Sequence, residues 1–343
     1  MRNAAGRRNT RLGLTALALA LVTVAFVLLD LSWAGSRTLS FGEVWSALIG
    51  DGTWANEIIV VNRNVPRIAA AIVIGAGLAV TGCVMQAVFR NPLATPYILG
   101  LSSGASLGSA FAIMLLPTAV LSIAQPVLAF AMCLLTTFLV YAVSRSGGTM
   151  VRTETLVLAG VAISSLFSAI VSFLTYIAPS DKMQNIVFWT MGNLGEVGYD
   201  ELWIIVPLVV VGMVLMLTQC RNLNAMMLGD SHAMDLGVDV RKVRFFLLVV
   251  SSVVVAGCVA FVGTIGFVGL VIPHILRMVM GPDNRLIMPM SVIGGAAFLL
   301  ISDWVAHIVA PYYGVLPIGV VTSLVGGPFF IYLLCRRKRE VGW

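Results

Sequence analysis

The residues of this sequence that could do chemistry are few and scattered. Its three histidines, His232, His274 and His307, lie far apart in the chain. Its five cysteines, Cys83, Cys133, Cys220, Cys258 and Cys335, stand singly, with no CxxC or CxxH spacing. Metal sites and disulfide frameworks need such clusters, so the cysteines read as small apolar packing residues. Ser106 offers a hydroxyl nucleophile with His274 as a conceivable base, but it sits in a run of small residues that reads better as a packing stripe. Neither a paired-aspartate motif nor a GxxxxGKS/T phosphate loop is present. If the chain moves something uphill with ATP, the ATPase is another polypeptide. Asp303 is the clearest charge inside an apolar stretch. A carboxylate there is costly and is usually paired or functional. Its simplest role is to bond a neighbouring helix, and one such residue argues against a proton-coupled carrier.

The elements that must position these groups are apolar helices. The chain has 343 residues, 59% hydrophobic and 10% charged, where an average soluble domain has about 25% charged residues. Such a composition cannot clothe an aqueous surface and belongs in lipid. The net charge of +6 does not point to nucleic acid, because the basic residues cluster at the ends of apolar runs. A span needs about 20 apolar residues, fewer where it packs inside the protein. Ten candidates emerge, at about 12–32, 65–88, 95–115, 119–143, 155–178, 201–219, 244–262, 266–280, 286–309 and 316–335. The eighth is short. The first follows a basic stretch and precedes a faint cleavage-like Ser32-Trp33-Ala34. It is longer than a signal h-region, so it reads as a retained span. With both ends inside, only Arg37, Arg63, Arg67 and Lys182 of the 21 basic residues fall outside, the asymmetry that sets topology.

The longest polar interruption late in the chain, Cys220 to Arg244, then faces the cytoplasm. It predicts two short helices, one starting at Asn222 or Asn224 and closed by Gly229, the next starting at Asp230 or Ser231 and closed by Gly237. Asn, Asp and Ser satisfy free N–H groups at helix starts, and glycine takes the left-handed turn at their ends. Met226, Met227, Leu228, Met234 and Leu236 give an apolar side, while Asp230, His232, Asp235, Arg241, Lys242 and Arg244 stay wet. Such a knuckle suits docking of a soluble partner or lying on lipid. On the outer side, residues 33–64 and 179–200 exceed hairpin length, and the second predicts a short helix across the mouth. Gly100, Gly104 and Gly108 recur every four residues and allow close backbone approach. Gly263, Gly266 and Gly269, with Pro273, bend the eighth span, and Gly326-Gly327-Pro328 breaks the tenth. Together the three suggest a central passage.

Several stretches are familiar as a set: Asn64-Val-Pro-Arg67, Gln86 to Gly100, Leu156 to Gly160, Gly266 to Arg277 and Leu316 to Leu334. In that order, over roughly residues 40–335, the chain resembles the FecCD-type membrane permeases of ABC importers for iron chelates and vitamin B12. The resemblance implies an all-α polytopic membrane protein of about ten transmembrane helices with the type II ABC-importer fold, both termini cytoplasmic, in the cell inner membrane. Residues 1–11 form a cytoplasmic tail, 12–335 one transmembrane domain with a coupling segment at about 220–243, and 336–343 a basic cytoplasmic tail. It implies a second permease copy, two cytoplasmic ATP-binding subunits and an extracytoplasmic substrate-binding protein as partners, with lipid around them. The chain does no catalysis and binds no cofactor or metal; ATP and Mg belong to the partner ATPase.

By the same resemblance, Leu228-Gly229 and the helix after it (Asp230, Ser231, His232, Ala233, Leu236, Gly237) couple to the ATPase. Arg63 and Arg67 at the start of the second span meet the binding protein, with His307 where a further rim arginine is expected. Gly100, Ser103 and Gly104 line the pathway, and the inner gate lies near Thr153, Glu154 and Thr155. The mechanism implied is alternating access, driven by closure of the ATPase dimer. Among cargoes a ferric siderophore is favoured as the commonest class, with heme and corrinoids as alternatives. A stand-alone ion-coupled carrier and an intramembrane protease using Ser106 are the competing classes.

Overall fold

The computed structural model describes residues 2–33, 38–145 and 153–340. The sequence readings that rest on Ala34, Arg37, Arg152 and the final residues 341–343 lie outside the described residues, as do the side chains of 2–12 and 336–340. The described residues form α1 (Arg2–Leu31), α2 (Phe41–Ile49), α3 (Trp54–Glu57), a π-helical turn (Ile58–Asn64), α4 (Val65–Val88) and a 3-10 turn (Pro96–Leu99). Then come α5 (Leu101–Leu115), α6 (Thr118–Arg145), α7 (Thr153–Ile177), α8 (Ser180–Met191), α9 (Tyr199–Leu217), α10 (Cys220–Met227) and α11 (Asp230–Asp235). The chain ends with α12 (Val240–Val262), α13 (Val268–Met280), α14 (Asn284–Ile308), α15 (Ala310–Tyr313) and α16 (Ile318–Glu340).

Among the described residues, seven helical stretches are long and apolar enough to cross a membrane: those of α1, α3–α4, α6, α7, α9, α12 and α14–α15. Where the other three spans were expected stand shorter apolar helices, α5, α13 and the first part of α16, below that length. The 13 residues of α13 rise only about 20 Å. The non-helical Gly263–Phe267 precedes them. Its carbonyls and N–H groups need partners inside a membrane. Tyr97 Oη donates to the Ile265 carbonyl at 2.7 Å, and Thr264 Oγ1 donates to the Thr190 carbonyl at 2.5 Å. The predicted bend therefore exists and is held by hydroxyls. The predicted break in the tenth span does not: α16 runs on with Pro328 inside it, and Gly326 instead gives room to the Phe267 ring.

α4 is the axis of the bundle. It is buried over most of its length between α14, α9, α13 and α12. It reaches α14 backbone to backbone, because a side-chain carbon on Gly75 would strike the Gly295 carbonyl, and the reverse. Outward faces of α1, α6 and α7 carry exposed Leu17, Phe138 and Phe173, as lipid-facing surface should. α1 lies along α14, where Phe26 meets Trp304 edge to face at 5.5 Å. The expected mouth helix is present as α8, and its Lys182 donates to the Met114 carbonyl at the end of α5 (2.9 Å). Residues 38–64 are more ordered than a loop. Ser40 and Glu43 form a reciprocal cap on α2, and Asn64 reaches back to the Trp33 carbonyl at 2.8 Å.

Candidate functional site

The knuckle between α9 and α12 carries the two short helices α10 and α11. Gly229, at φ +120°, and Gly237, at φ +83°, turn the chain where side chains are disfavoured. This leaves α11 as a single short helix standing off the bundle. The predicted glycine stops hold, and so does the predicted start of the second helix at Asp230; the start predicted for the first, at Asn222 or Asn224, does not. α10 begins at Cys220, and Gly229 itself precedes α11 without a side-chain cap. Asn224 works elsewhere. Its Nδ2 donates to Asp283 Oδ1 (2.7 Å), and its Oδ1 accepts from the Asn284 N–H (2.9 Å).

The apolar residues of the knuckle divide. Leu223, Met226 and Ala233 are buried against the bundle, whereas Leu228 and Leu236 are each 66% exposed. Ser231, His232, Met234 and Asp235 share the exposed surface. Asp230 and Arg244 do not stay wet as expected: Arg244 is buried, its Nη2 donates to both Asp230 oxygens at 2.9 Å, and Arg90 Nη2 stands 3.5 Å away. Arg90 follows α4 in a left-handed conformation, φ +48°, a strained choice for a residue with a β-carbon. The knuckle is thus tied to the end of α4 and the start of α12. At the helix start, Asp239 accepts the Lys242 N–H and pairs with its ammonium at 3.0 Å. That hydrogen bond holds the Asp239 carboxyl below its ordinary range.

A buried polar chain continues inward from Asn224. Asn284 Oδ1 accepts from Arg277 Nη2 (3.2 Å), Arg277 Nε donates to Gln86 Oε1 (3.2 Å), and Gln86 Nε2 donates to the Leu270 carbonyl (3.2 Å). It links α10, α14, α13 and α4. Sequence reading missed this set. Arg277 inside an otherwise apolar helix was the one signal available.

At the opposite end of α4 sits a dry cluster. Arg67 Nε lies 3.0 Å from Asp303 Oδ2, and Arg67 Nη1 lies 2.7 Å from His307 Nε2. Arginine has no acceptor, so His307 Nε2 accepts, and Nδ1 carries the proton it gives to the Asp303 carbonyl at 2.8 Å. Asp30 joins from α1, fully buried, with neither oxygen hydrogen-bonded; Asp303 and Arg67 are the charges it feels. Asp303 is therefore the inter-helix partner expected of it, while Asp30 was not foreseen. Of the three residues assigned to a docking rim, Arg63 is exposed on the π-helical turn, and Arg67 and His307 lie buried behind it.

The residues assigned to a pathway are not gathered in one place. Gly104 is packed against Met132 and Thr136 of α6, and Gly100 against Ser164 of α7. Ser103 Oγ returns to the Gly100 carbonyl at 2.9 Å. Thr153, Glu154 and Thr155 form the first turn of α7, with Glu154 exposed. A separate cavity of about 510 Å³ opens between the 3-10 turn, α8, the bend before α13 and α16. Tyr97, Ser102, Thr190, Thr264 and Ser323 are among the residues lining it. Among the described residues no group of three His, Cys, Asp or Glu is placed to hold a metal ion.

A family model described as the FecCD transport family matches residues 18–336. The chain belongs to the FecCD transport family. This FecCD permease is 39% identical over 340 residues to the hemin transport system permease of Yersinia pestis, covering 98% of each chain. It is 42% identical over 285 residues to the cobalamin import system permease of Halobacterium salinarum, covering 83% of this chain and 75% of that one. It is 34% identical to the Fe(3+) dicitrate permease subunit of Escherichia coli over 320 residues, 92% and 98% of the two chains. A solved metal-chelate type ABC transporter in an inward-facing conformation superposes with a TM-score of 0.80 at 31% identity, covering 94% and 98%.

Proposed function

We propose that this chain is the transmembrane subunit of an ATP-driven importer that passes an iron chelate across the inner membrane. Two copies would enclose the pathway. In each, ten helices would span the membrane, α5, α13 and α16 being the three short ones, with both termini cytoplasmic. The reading rests chiefly on the exposed Leu228–Leu236 surface, carried on a segment braced to α4, α12 and α14. Burying two exposed leucines under a partner would contribute about 1.5–3 kcal/mol each before the costs of association. The ATP-binding subunit is that partner, and ATP and Mg are bound there. Because the knuckle is tied to three helices, a push on α11 moves their ends together. Arg63 would receive acidic residues of the binding protein, with Arg67 and His307 supporting it from behind. Thr153, Glu154 and Thr155 would form the inner gate, with Gly100, Ser103 and Gly104 allowing α5 to shift against α6 and α7. The hydroxyl-lined cavity fits the wall of a path for a bulky polar chelate.

The ferric siderophore reading of the sequence rests on how common that cargo is. The hemin permease of Yersinia pestis, matched over 98% of both chains, favours heme as the particular chelate. Proteoliposomes holding the permease, its ATPase and its binding protein decide between them. ATP-dependent uptake of iron-labelled hemin, with none of ferric siderophore or cyanocobalamin, is the expected result. Uptake of a siderophore alone would replace heme by the first reading. Uptake by the permease alone under a proton gradient would overturn the ATP-driven account.

A further inference from the structure

A groove runs between α6 and α12 from the knuckle along the outward, lipid-facing surface, where Phe138, Phe245 and Val249 are exposed. Its outer chamber, about 530 Å³, is lined by Tyr141, Met234, Val238, Arg241, Arg244 and Phe245, among others. Its inner chamber, about 200 Å³, is lined by Leu134, Phe138, Tyr141, Phe245 and Val249, among others. Tyr141 and Phe245 belong to both, their rings 5.1 Å apart, so the chambers adjoin. Thr137 Oγ1 donates to Ser252 Oγ at 2.8 Å. This staples the two helices at the floor and leaves the inner chamber apolar in effect.

The two helix faces repeat one pattern. On α6 the line Leu134, Phe138, Tyr141 follows helical spacing and ends at Arg145; on α12 the line Val249, Phe245 ends at Arg241. Each wall is greasy in its depth; Arg241 lines the mouth, Arg145 follows Tyr141 by one turn on α6, and both are exposed. Acids at the mouth are already engaged: Asp230 by Arg244 and Arg90, Asp239 by Lys242. The mouth therefore offers positive charge above a slot for hydrocarbon, which is the charge and shape of an anionic amphiphile.

We propose that this groove binds one anionic diacyl phospholipid, its phosphate between Arg145 and Arg241 and an acyl chain along Phe138 and Val249. The placement rests on the reading that the knuckle lies at the cytoplasmic face. Bound there, the lipid wedges α6 against the start of α12 and fixes the knuckle relative to the membrane plane.

Native mass spectrometry of the full chain, titrated with phosphatidylglycerol and phosphatidylcholine of equal chain length, tests it. The expected result is a tight phosphatidylglycerol adduct at one equivalent, with phosphatidylcholine binding far more weakly. Arg145→Gln with Arg241→Gln should erase the preference, about five-fold per arginine, and the paired Lys variants should keep it, which separates charge loss from misfolding. Val249→Trp should fill the slot and remove the adduct, whereas glycerol phosphate, a head without tails, should not compete. Equal binding of the two lipids, or a preference that survives the paired Gln variant, overturns the proposal. So does an adduct that survives Val249→Trp. Pull-down of the ATP-binding subunit on the same variants separates the two readings. If the Gln variants lose the ATPase but keep the lipid, the groove mouth belongs to the ATPase and the proposal is wrong. If ATPase docking at Leu228 fails in the parent protein while the lipid result stands, only the coupling reading falls.

Discussion

The two ends of α4 carry the same kind of contact in opposite surroundings. At its start the side chains of Arg67 and Asp303 are 2% and 3% exposed; past its end those of Arg90 and Asp230 are 43% and 24% exposed. The dry pair has left water altogether, at several kcal/mol per ion before attraction offsets it. The wet pair gains and loses little, about 0.2–1 kcal/mol. The dry end is built to stay, since removing one partner strands a buried charge. The wet end can be remade at little cost. Arg244 sits between these extremes at 9% exposed, so the knuckle is held more firmly to α12 than to α4.

The largest effect should come from breaking the dry end. Arg67→Met leaves Asp303 and Asp30 without their cation and should destabilise the protein by about 3–5 kcal/mol, read as a lower melting temperature in detergent. Adding Asp303→Asn to that variant should restore part of the loss. An unshifted melting curve for Arg67→Met would mean the cluster is not a brace. Next in size is Arg277→Met, which abandons Gln86 and Asn284 within the bundle, at about 1–3 kcal/mol. Its second expected effect, weaker protection of α10 from hydrogen exchange, tests whether the network ties the knuckle inward. Comparable or smaller, Asp230→Asn takes the carboxylate charge from the 9%-exposed Arg244 as well as from Arg90 and should cost about 1–2 kcal/mol, of which only the Arg90 share is lost in high salt. A salt-insensitive loss as large as that of Arg67→Met would erase the contrast between the ends. The smallest change is expected from Arg90→Gly, where release from a left-handed conformation offsets a weak ion pair; stability should move by only about 0.5 kcal/mol in either direction.

Much of this was legible in the sequence, and what was not has one cause. Apolar runs gave the spans, and glycines at 229 and 237 gave the ends of the two knuckle helices, because both are local signals. Asp303 declared itself as a carboxylate in a greasy helix. Of its surroundings only His307, four residues on in the same helix, was local; Arg67 stands 240 positions from His307, and nothing local says they meet. Asp30 lies in the last turn of α1, where a carboxylate reads as an edge residue until α4 and α14 close over it. Asn224 looked like a helix start because asparagine often is one; its real partners begin at Asp283. The break forecast at Pro328 failed because a missing N–H is tolerated inside a helix when its neighbours pack well. Family resemblance pointed to the exposed knuckle and the rim, but only packing shows that two of the three rim residues are covered.

The central claim is that an ATP-hydrolysing subunit grips the knuckle. The direct measurement is co-purification of that subunit with a permease carrying Leu228→Lys and Leu236→Lys, alongside the melting temperature of the permease alone. Both leucines are exposed, so the account predicts an unchanged melting temperature and loss of the ATPase from the complex. Full co-purification with the doubly substituted permease would contradict it.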